Sequence, residues 1–196
     1  MIRILCFLSL FVNSHFKPAK TDTATFATGC FWCTEAKFQQ LKGVIKVTSG
    51  FTGGHVANPS YEQVCTGETG HAEACNIVYD PSIISYDDLL QAFFVAHDPT
   101  ELNRQGNDVG TQYRSAIFYY TDEQKQQAEA MIKTLTNEKV FDSAIVTEVT
   151  PASEFYKAED YHQNFYNLNP DQQYCKYVIQ PELEKFRKVF KDKLKN

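Results

Sequence analysis

Apolar residues recur along this chain with two alternating periods, and the alternation outlines a fold before any residue is considered for its chemistry. Thr23 to Thr28 is short, Thr-rich and apolar and reads as a strand, punctuated by Gly29. From Cys33 to Leu41 the positions Ala36, Phe38 and Leu41 keep helical spacing, with Gly43 placed as the C-cap. Val44 to Ser49 is β-branched and reads as a second strand. Residues 50–70 hold five Gly, one Pro and few aliphatics, which predicts a long loop of the kind that carries function. Glu73 to Tyr79 alternates, so Glu73, Cys75, Ile77 and Tyr79 share one strand face. Ser85-x-x-Asp88 opens a helix to His97 with Leu89, Leu90, Phe93 and Phe94 on its core face. A polar loop over 98–114 leads to a strand from Ser115 to Tyr120. Thr121-x-x-Gln124 then opens a helix to about Glu138, with Ala128, Met131, Ile132 and Leu135 inward. A fifth strand runs from Ala144 to Val149, stopped by Pro151, and residues 151–180 are aromatic and irregular. Pro181 starts a last amphipathic helix through Leu183, Phe186, Val189 and Phe190.

The order β-α-β, β-α-β over residues 24–120 predicts an α/β (α+β) chain with a ferredoxin-like, two-layer sandwich: a split βαβ core with extra loops and a C-terminal tail. A doubly wound sheet fits less well, because no helix is predicted between residues 50 and 70. One domain over 23–196 follows, preceded by a leader and linker over 1–22. In that leader Arg3 precedes an apolar run from Ile4 to Val12, which resembles a secretory signal and is too short to span a bilayer. No clear small-x-small cleavage triplet follows it. The reading slightly favours an exported or periplasmic protein, with a cytoplasmic one as the alternative.

Composition narrows the function more than the fold. The net charge is -5 with no basic stripe, which argues against nucleic acid as a partner. Aromatic residues make up 14% of the chain, enough for a Phe-rich core with Tyr at its edge and a minority left to line a pocket. The chain has six cysteines, which do not read as a disulfide framework, because the chain is too large and its core too apolar to require one. Cys6 falls in the leader, leaving Cys30, Cys33, Cys65, Cys75 and Cys175. An odd set points to at least one working thiol.

Cys30 stands at the predicted strand-to-helix junction. Free backbone N–H groups and the positive end of the helix dipole favour an anion there, so the thiol pKa is expected to fall. The opposing reading is a buried structural cysteine; Gly29 weighs against it by allowing close backbone approach. Cys30 and Cys33 form a C-x-x-C pair, suited to dithiol redox chemistry. With no second C-x-x-C and no H-x₃-H, a zinc site is not expected.

Gly29-Cys30-Phe31-Trp32 resembles the active-site signature of the peptide methionine sulfoxide reductase A family. Further blocks follow in that family's order: Ser49 to Gly54, Tyr61 to Gly67 with Thr69 to Ala74, Arg104 to Asp108 with Gly110 to Ser115, and Ala158 to Gln163. The resemblance runs from about residue 24 to the end. It implies thiol-dependent reduction of methionine S-sulfoxide, free or in proteins, as a repair activity. Cys30 is then the nucleophile. Glu73, Tyr61 and Tyr113 supply protons to the sulfoxide oxygen, and Asp108 positions that network. Phe31 and Trp32 seat the S-methyl group.

By the same resemblance Cys30 becomes a sulfenic acid, a second cysteine condenses with it to a disulfide, and thioredoxin or a similar dithiol reduces that bond. Cys175, in Asn169 to Cys175, corresponds to the family's Cys-bearing tail and is expected to resolve the sulfenic acid. Cys33, where many members have Gly, is the other possibility. Cys65 and Cys75 read as structural. No metal or other cofactor is implied, and family members are usually monomers. Two rival functions are a general C-x-x-C thiol–disulfide oxidoreductase, which would tolerate loss of Glu73, and a peptide-binding module, which would tolerate loss of Cys30.

Overall fold

The computed structural model describes residues 20–195; the leader, apart from its last three residues, lies outside them. Four strands form the middle of the sheet: β1 (Asp22–Thr28), β2 (Val44–Thr52), β3 (Ala72–Tyr79) and, after two short strands described below, β6 (Ser115–Tyr119). Their spatial order is β6-β1-β3-β2, every neighbouring pair antiparallel, and this is the ferredoxin-like order. Strand β7 (Glu148–Pro151) extends one edge parallel to β6, and β8 (Tyr156–Lys157) extends the other along β2. β4 (Arg104–Gln105) and β5 (Asp108–Val109) form a separate small ribbon.

Helices α1 (Phe31–Phe38) and α3 (Tyr86–Ala96) bury their apolar faces against the sheet. Phe26 of β1 sits between them, 5.7 Å from Phe38 and 5.2 Å from Phe93 by ring centroid. Burial of each such side chain stabilises the fold by about 1.5–3 kcal/mol. The opposite sheet face carries small residues, Ala27, Ala72, Ala74 and Ala116, with Phe118, and is covered by Ala152 and Phe155 from a loop. The helices therefore lie in one layer, as a two-layer sandwich requires.

Helix starts follow the expected caps. Ser85 and Asp88 form a full capping box on α3. On α4 (Asp122–Asn137) Thr121 accepts from the Gln124 N–H, but the Gln124 side chain turns to the Tyr120 N–H, so the reciprocal half is missing. Gly43 is not a C-cap, because α1 ends at Phe38. With φ at 85° Gly43 makes the turn into β2 instead. The long loop is shorter than expected: β2 continues to Thr52, and α2 (Tyr61–Cys65) forms over a Ser60–Gln63 capping box. Composition hid this helix, since a single turn has no periodicity to read. The fifth strand begins at Glu148 rather than Ala144 and includes Pro151, which an edge strand tolerates.

The stretch over 151–180 also holds more structure than its sequence suggests. Beyond β8 it contains a 3₁₀ turn at Asp160–His162 and the short helix α5 (Phe165–Leu168). A π-turn over Cys175–Ile179 follows and runs directly into α6 (Gln180–Val189). Such π-turns often mark functional segments.

Candidate active site

The end of β1 and the start of α1 meet at Gly29-Cys30. Gly29 has φ at 93°, and a Cβ there would lie 2.6 Å from Gln105 Cβ, so only glycine lets the β4–β5 ribbon close over this turn. Cys30 is the residue preceding α1, as expected, and its carbonyl accepts from the N–H groups of Cys33 and Thr34. Its thiol is buried, 8% exposed. The expected fall in its pKa is not found. Burial pushes the thiol well above its ordinary value, and Cys33 and Glu73 push it further, against a weaker opposing bond to Tyr174. Loss of solvation outweighs the helix terminus at this depth.

Glu73 arrives from β3, paired with Phe51 of β2, on the face shared with Cys75. It is 1% exposed, and its Oε2 accepts from the Phe31 N–H at 3.0 Å. The Cys75 thiol donates to the Phe31 carbonyl at 3.5 Å, so two β3 side chains bracket the peptide beside Cys30. Burial raises the Glu73 pKa to about 8; the Phe31 bond lowers it and the nearby Asp108 charge raises it. A carboxyl of this kind is mostly protonated at neutral pH and can donate.

Tyr61, the first residue of α2, and Tyr113, in the turn after β5, both lie near Glu73, and Tyr113 also lies near Cys30. Burial pushes both phenols above their ordinary value. Both hydroxyls therefore stay protonated as donors. Asp108, on β5, accepts from the Tyr174 hydroxyl at 2.6 Å and lines the same cleft as Cys30, Cys33 and Asn107. Glu73 and Tyr113 thus stand near Cys30, and Tyr61 packs on the adjacent Phe31.

Phe31 and Trp32 form an aromatic wall with Phe51, Tyr61, His162 and Phe165. Tyr174, His162 and Phe165 were not singled out from the sequence. The signal was present as an excess of aromatics over 155–177, without a period to place them.

The tail cysteine differs from expectation in its surroundings. Cys175 is fully buried in the π-turn, and burial, with Cys33 nearby, pushes its thiol above the ordinary value. Cys33 lines the same cleft as Cys30, and its own thiol lies 3.9 Å from the Tyr174 hydroxyl. Cys65 is exposed, and Cys75 is buried beneath Phe31. Among the described residues no cluster of three or more His, Cys, Asp or Glu side chains is arranged to hold a metal.

A buried thiol beside a neutral carboxyl and two phenols, walled by aromatic rings, suits attack on a small polarised group carried on an apolar side chain. The model of the family described as peptide methionine sulfoxide reductase matches residues 22–194. The chain belongs to the peptide methionine sulfoxide reductase family. It is 59% identical to the peptide methionine sulfoxide reductase MsrA of Deinococcus radiodurans, over 90% of this chain and 86% of that one. It is 56% identical to the MsrA of Acinetobacter baumannii, over 88% and 98%. Among solved structures it resembles the reduced form of Mxr1 from Saccharomyces cerevisiae with a TM-score of 0.75, at 33% identity over 82% of this chain and 92% of that one. It also resembles methionine sulfoxide reductase A of Corynebacterium diphtheriae, with a TM-score of 0.69 at 39% identity over 79% and 77%. Within this reductase family the resemblance covers the whole described domain, from β1 to the residues after α6.

Proposed function

We propose that this reductase acts on methionine S-sulfoxide, free or in proteins, through attack by Cys30, and that its oxidised form is reduced by thioredoxin or a similar dithiol. The observation that carries the reading is the Glu73 carboxyl, buried, held by the Phe31 N–H at 3.0 Å and raised to about 8 beside the Cys30 thiol. Reduction of a sulfoxide needs a proton on the departing oxygen, and an acid of this kind can supply it.

The raised pKa of Cys30 is compatible with this chemistry when the proton is counted. Glu73 gives its proton to the sulfoxide oxygen as Cys30 sulfur attacks the substrate sulfur, and the thiol's proton reloads Glu73. Oxygen then passes to Cys30, the S–O bond of the substrate breaks, and methionine leaves with Cys30 as a sulfenic acid. No free thiolate need accumulate at rest. Tyr61 and Tyr113 steady the oxygen as charge develops on it. Asp108 holds Tyr174 against the cleft, and Phe31 and Trp32 receive the methyl group.

The second thiol then displaces hydroxide from the sulfenic sulfur as water, forming a disulfide. Cys33 is favoured for this step over Cys175, because Cys33 lines the same cleft as Cys30 and Cys175 does not. Cys175, beside Cys33, is placed to exchange into that bond afterwards.

The test is reduction of two peptides carrying the S or the R sulfoxide, with dithiothreitol and a Cys30→Ser control. Turnover of the S epimer alone, lost with Cys30, is the expected result. Equal turnover of both epimers, or activity without Cys30, would refute the reading.

A further inference from the structure

The segment Ala158 to Gln163 has no part in the chemistry above, yet it is tied tightly to the site. Gln163 clamps the β2 edge: its Oε1 accepts from the Ser49 N–H at 3.1 Å and its Nε2 donates to the Ser49 carbonyl at 3.0 Å. The Ala158 N–H donates to the same carbonyl at 3.0 Å. Two side chains between these anchors face Tyr61. Glu159 Oε1 accepts from the Tyr61 backbone N–H at 3.0 Å. The His162 ring, 1% exposed, lies 4.3 Å from the Tyr61 ring and 5.1 Å from Phe31 by centroid.

The polar atoms of this pair are otherwise unused. Glu159 Oε2 and both His162 nitrogens are buried without a hydrogen-bond partner, and Glu159 Oε2 stands 3.8 Å from His162 Nε2. A fold retains unsatisfied buried groups at a cost, and their presence marks a place where something other than stability is served. Apart from stacking on Phe31, with ring centroids 6.3 Å apart, Tyr61 stands at the first position of a helix only one turn long.

We infer that Glu159 and His162 are positioning residues for the Tyr61 hydroxyl, Glu159 fixing the backbone of Tyr61 and His162 the tilt of its ring. The inference rests on the reading of Tyr61 as a donor to the sulfoxide oxygen. It assigns a role to two side chains that touch neither the thiol nor the carboxyl. Glu159 reaches the substrate through Tyr61, while the His162 ring also packs on Phe31 and Trp32.

A double-mutant cycle separates this from a structural role. The rate of methionine formation would be measured in a single turnover of the full chain, enzyme in excess and no reductant, on the S-sulfoxide peptide. Tyr61→Phe is expected to slow this step by at least about tenfold, as loss of one oxyanion donor does. Glu159→Ala and His162→Ala should each slow it by a similar factor, and neither should slow the Tyr61→Phe enzyme by more than about twofold. Glu159→Gln, which keeps an acceptor for the Tyr61 N–H, should restore the wild-type rate, and His162→Phe, which keeps a ring, should restore most of it. Losses that multiply with that of Tyr61→Phe would overturn the inference and leave the Tyr61 assignment standing. A Tyr61→Phe enzyme of unchanged rate would overturn both. Should an alanine variant fail to fold, the conservative variant decides: a Glu159→Gln enzyme as slow as Tyr61→Phe refutes the role of the backbone bond.

Discussion

Trp32 and Phe165 stack face to face, ring centroids 3.7 Å apart and planes 7° from parallel. Phe165 is held there by its neighbour: Asn164 turns with φ at 53° and gives its N–H to the buried Glu35 carboxyl at 2.8 Å. One face of the indole is therefore covered, and the proposed methyl seat is left its other face, its edge and the Phe31 side. Phe165→Ala would uncover that face, losing about 0.5–1.5 kcal/mol of ring pairing beyond simple burial. The expected result is a rise in KM for the sulfoxide with kcat within about twofold, since the proton donors are untouched. Trp32 is the only tryptophan. Its emission should shift to the red in Phe165→Ala, and steady-state fluorescence reads this directly.

Glu73 makes the pH dependence a stability statement as well as a kinetic one. Its carboxyl is raised from 4.5 to about 8 by burial. Between those values the unfolded chain releases this proton and the folded chain keeps it, so stability falls as pH rises through the window. Glu73→Gln keeps the acceptor for Phe31 and removes the titration. It should flatten that fall and gain on the order of a few kcal/mol over the wild type near pH 8.5 in urea unfolding. The same change should slow the sulfoxide step about 10²–10⁴-fold and remove the loss of rate expected in the wild type above about pH 8. A wild-type rate unaffected between pH 7 and 9 would exclude Glu73 as the acid.

Sequence periodicity located the core because the core elements are long enough to repeat. Alternation in β3 put Glu73 on the buried face with Cys75 and Ile77, and that burial is what raises its pKa. The Ser85 cap and the Gly29 turn were legible for the same local reason: each rests on a few adjacent residues. Helix α2, β8 and the π-turn were not, because they last one turn or two residues and depend on contacts from distant segments. The Glu159 bond to Tyr61 spans 98 positions, and the Tyr174 bond to Asp108 spans 66. The Cys30 pKa failed for a related reason, since helix position is local and depth of burial is not.

The order of thiols can be read from where oxidation stops. With Cys33 lining the cleft beside Cys30 and Cys175 fully buried, Cys33→Ser should release one methionine and then hold Cys30 as a sulfenic acid. Dimedone labelling of Cys30, followed by mass spectrometry, should rise severalfold over the wild type. Cys175→Ser should instead form a Cys30–Cys33 disulfide and label weakly. The reverse pattern would assign the first condensation to Cys175 and require the tail to leave its buried site before the disulfide forms.

The tail is pinned to α1 by a buried charge. Lys37 is 2% exposed and donates to the Ala96 carbonyl at 2.6 Å and to Glu182 at 2.7 Å, while Glu182 is 37% exposed. Breaking such a pair from one side strands the other charge, which costs about 3–5 kcal/mol when both are buried. Because Glu182 reaches solvent, and Lys37 keeps Ala96, the loss in Glu182→Ala should be smaller, about 1–3 kcal/mol. Glu182 also lines the cleft with Cys30 and follows the π-turn that holds Cys175. Loosening it should therefore speed modification of Cys175 by a thiol reagent more than that of Cys75, which lies on β3 within the sheet and bonds to the Phe31 carbonyl. Urea unfolding checks the first expectation, and site-resolved alkylation the second. A variant that loses stability yet leaves Cys175 as protected as Cys75 would show that Lys37 and Glu182 hold the helix without governing access to its thiol.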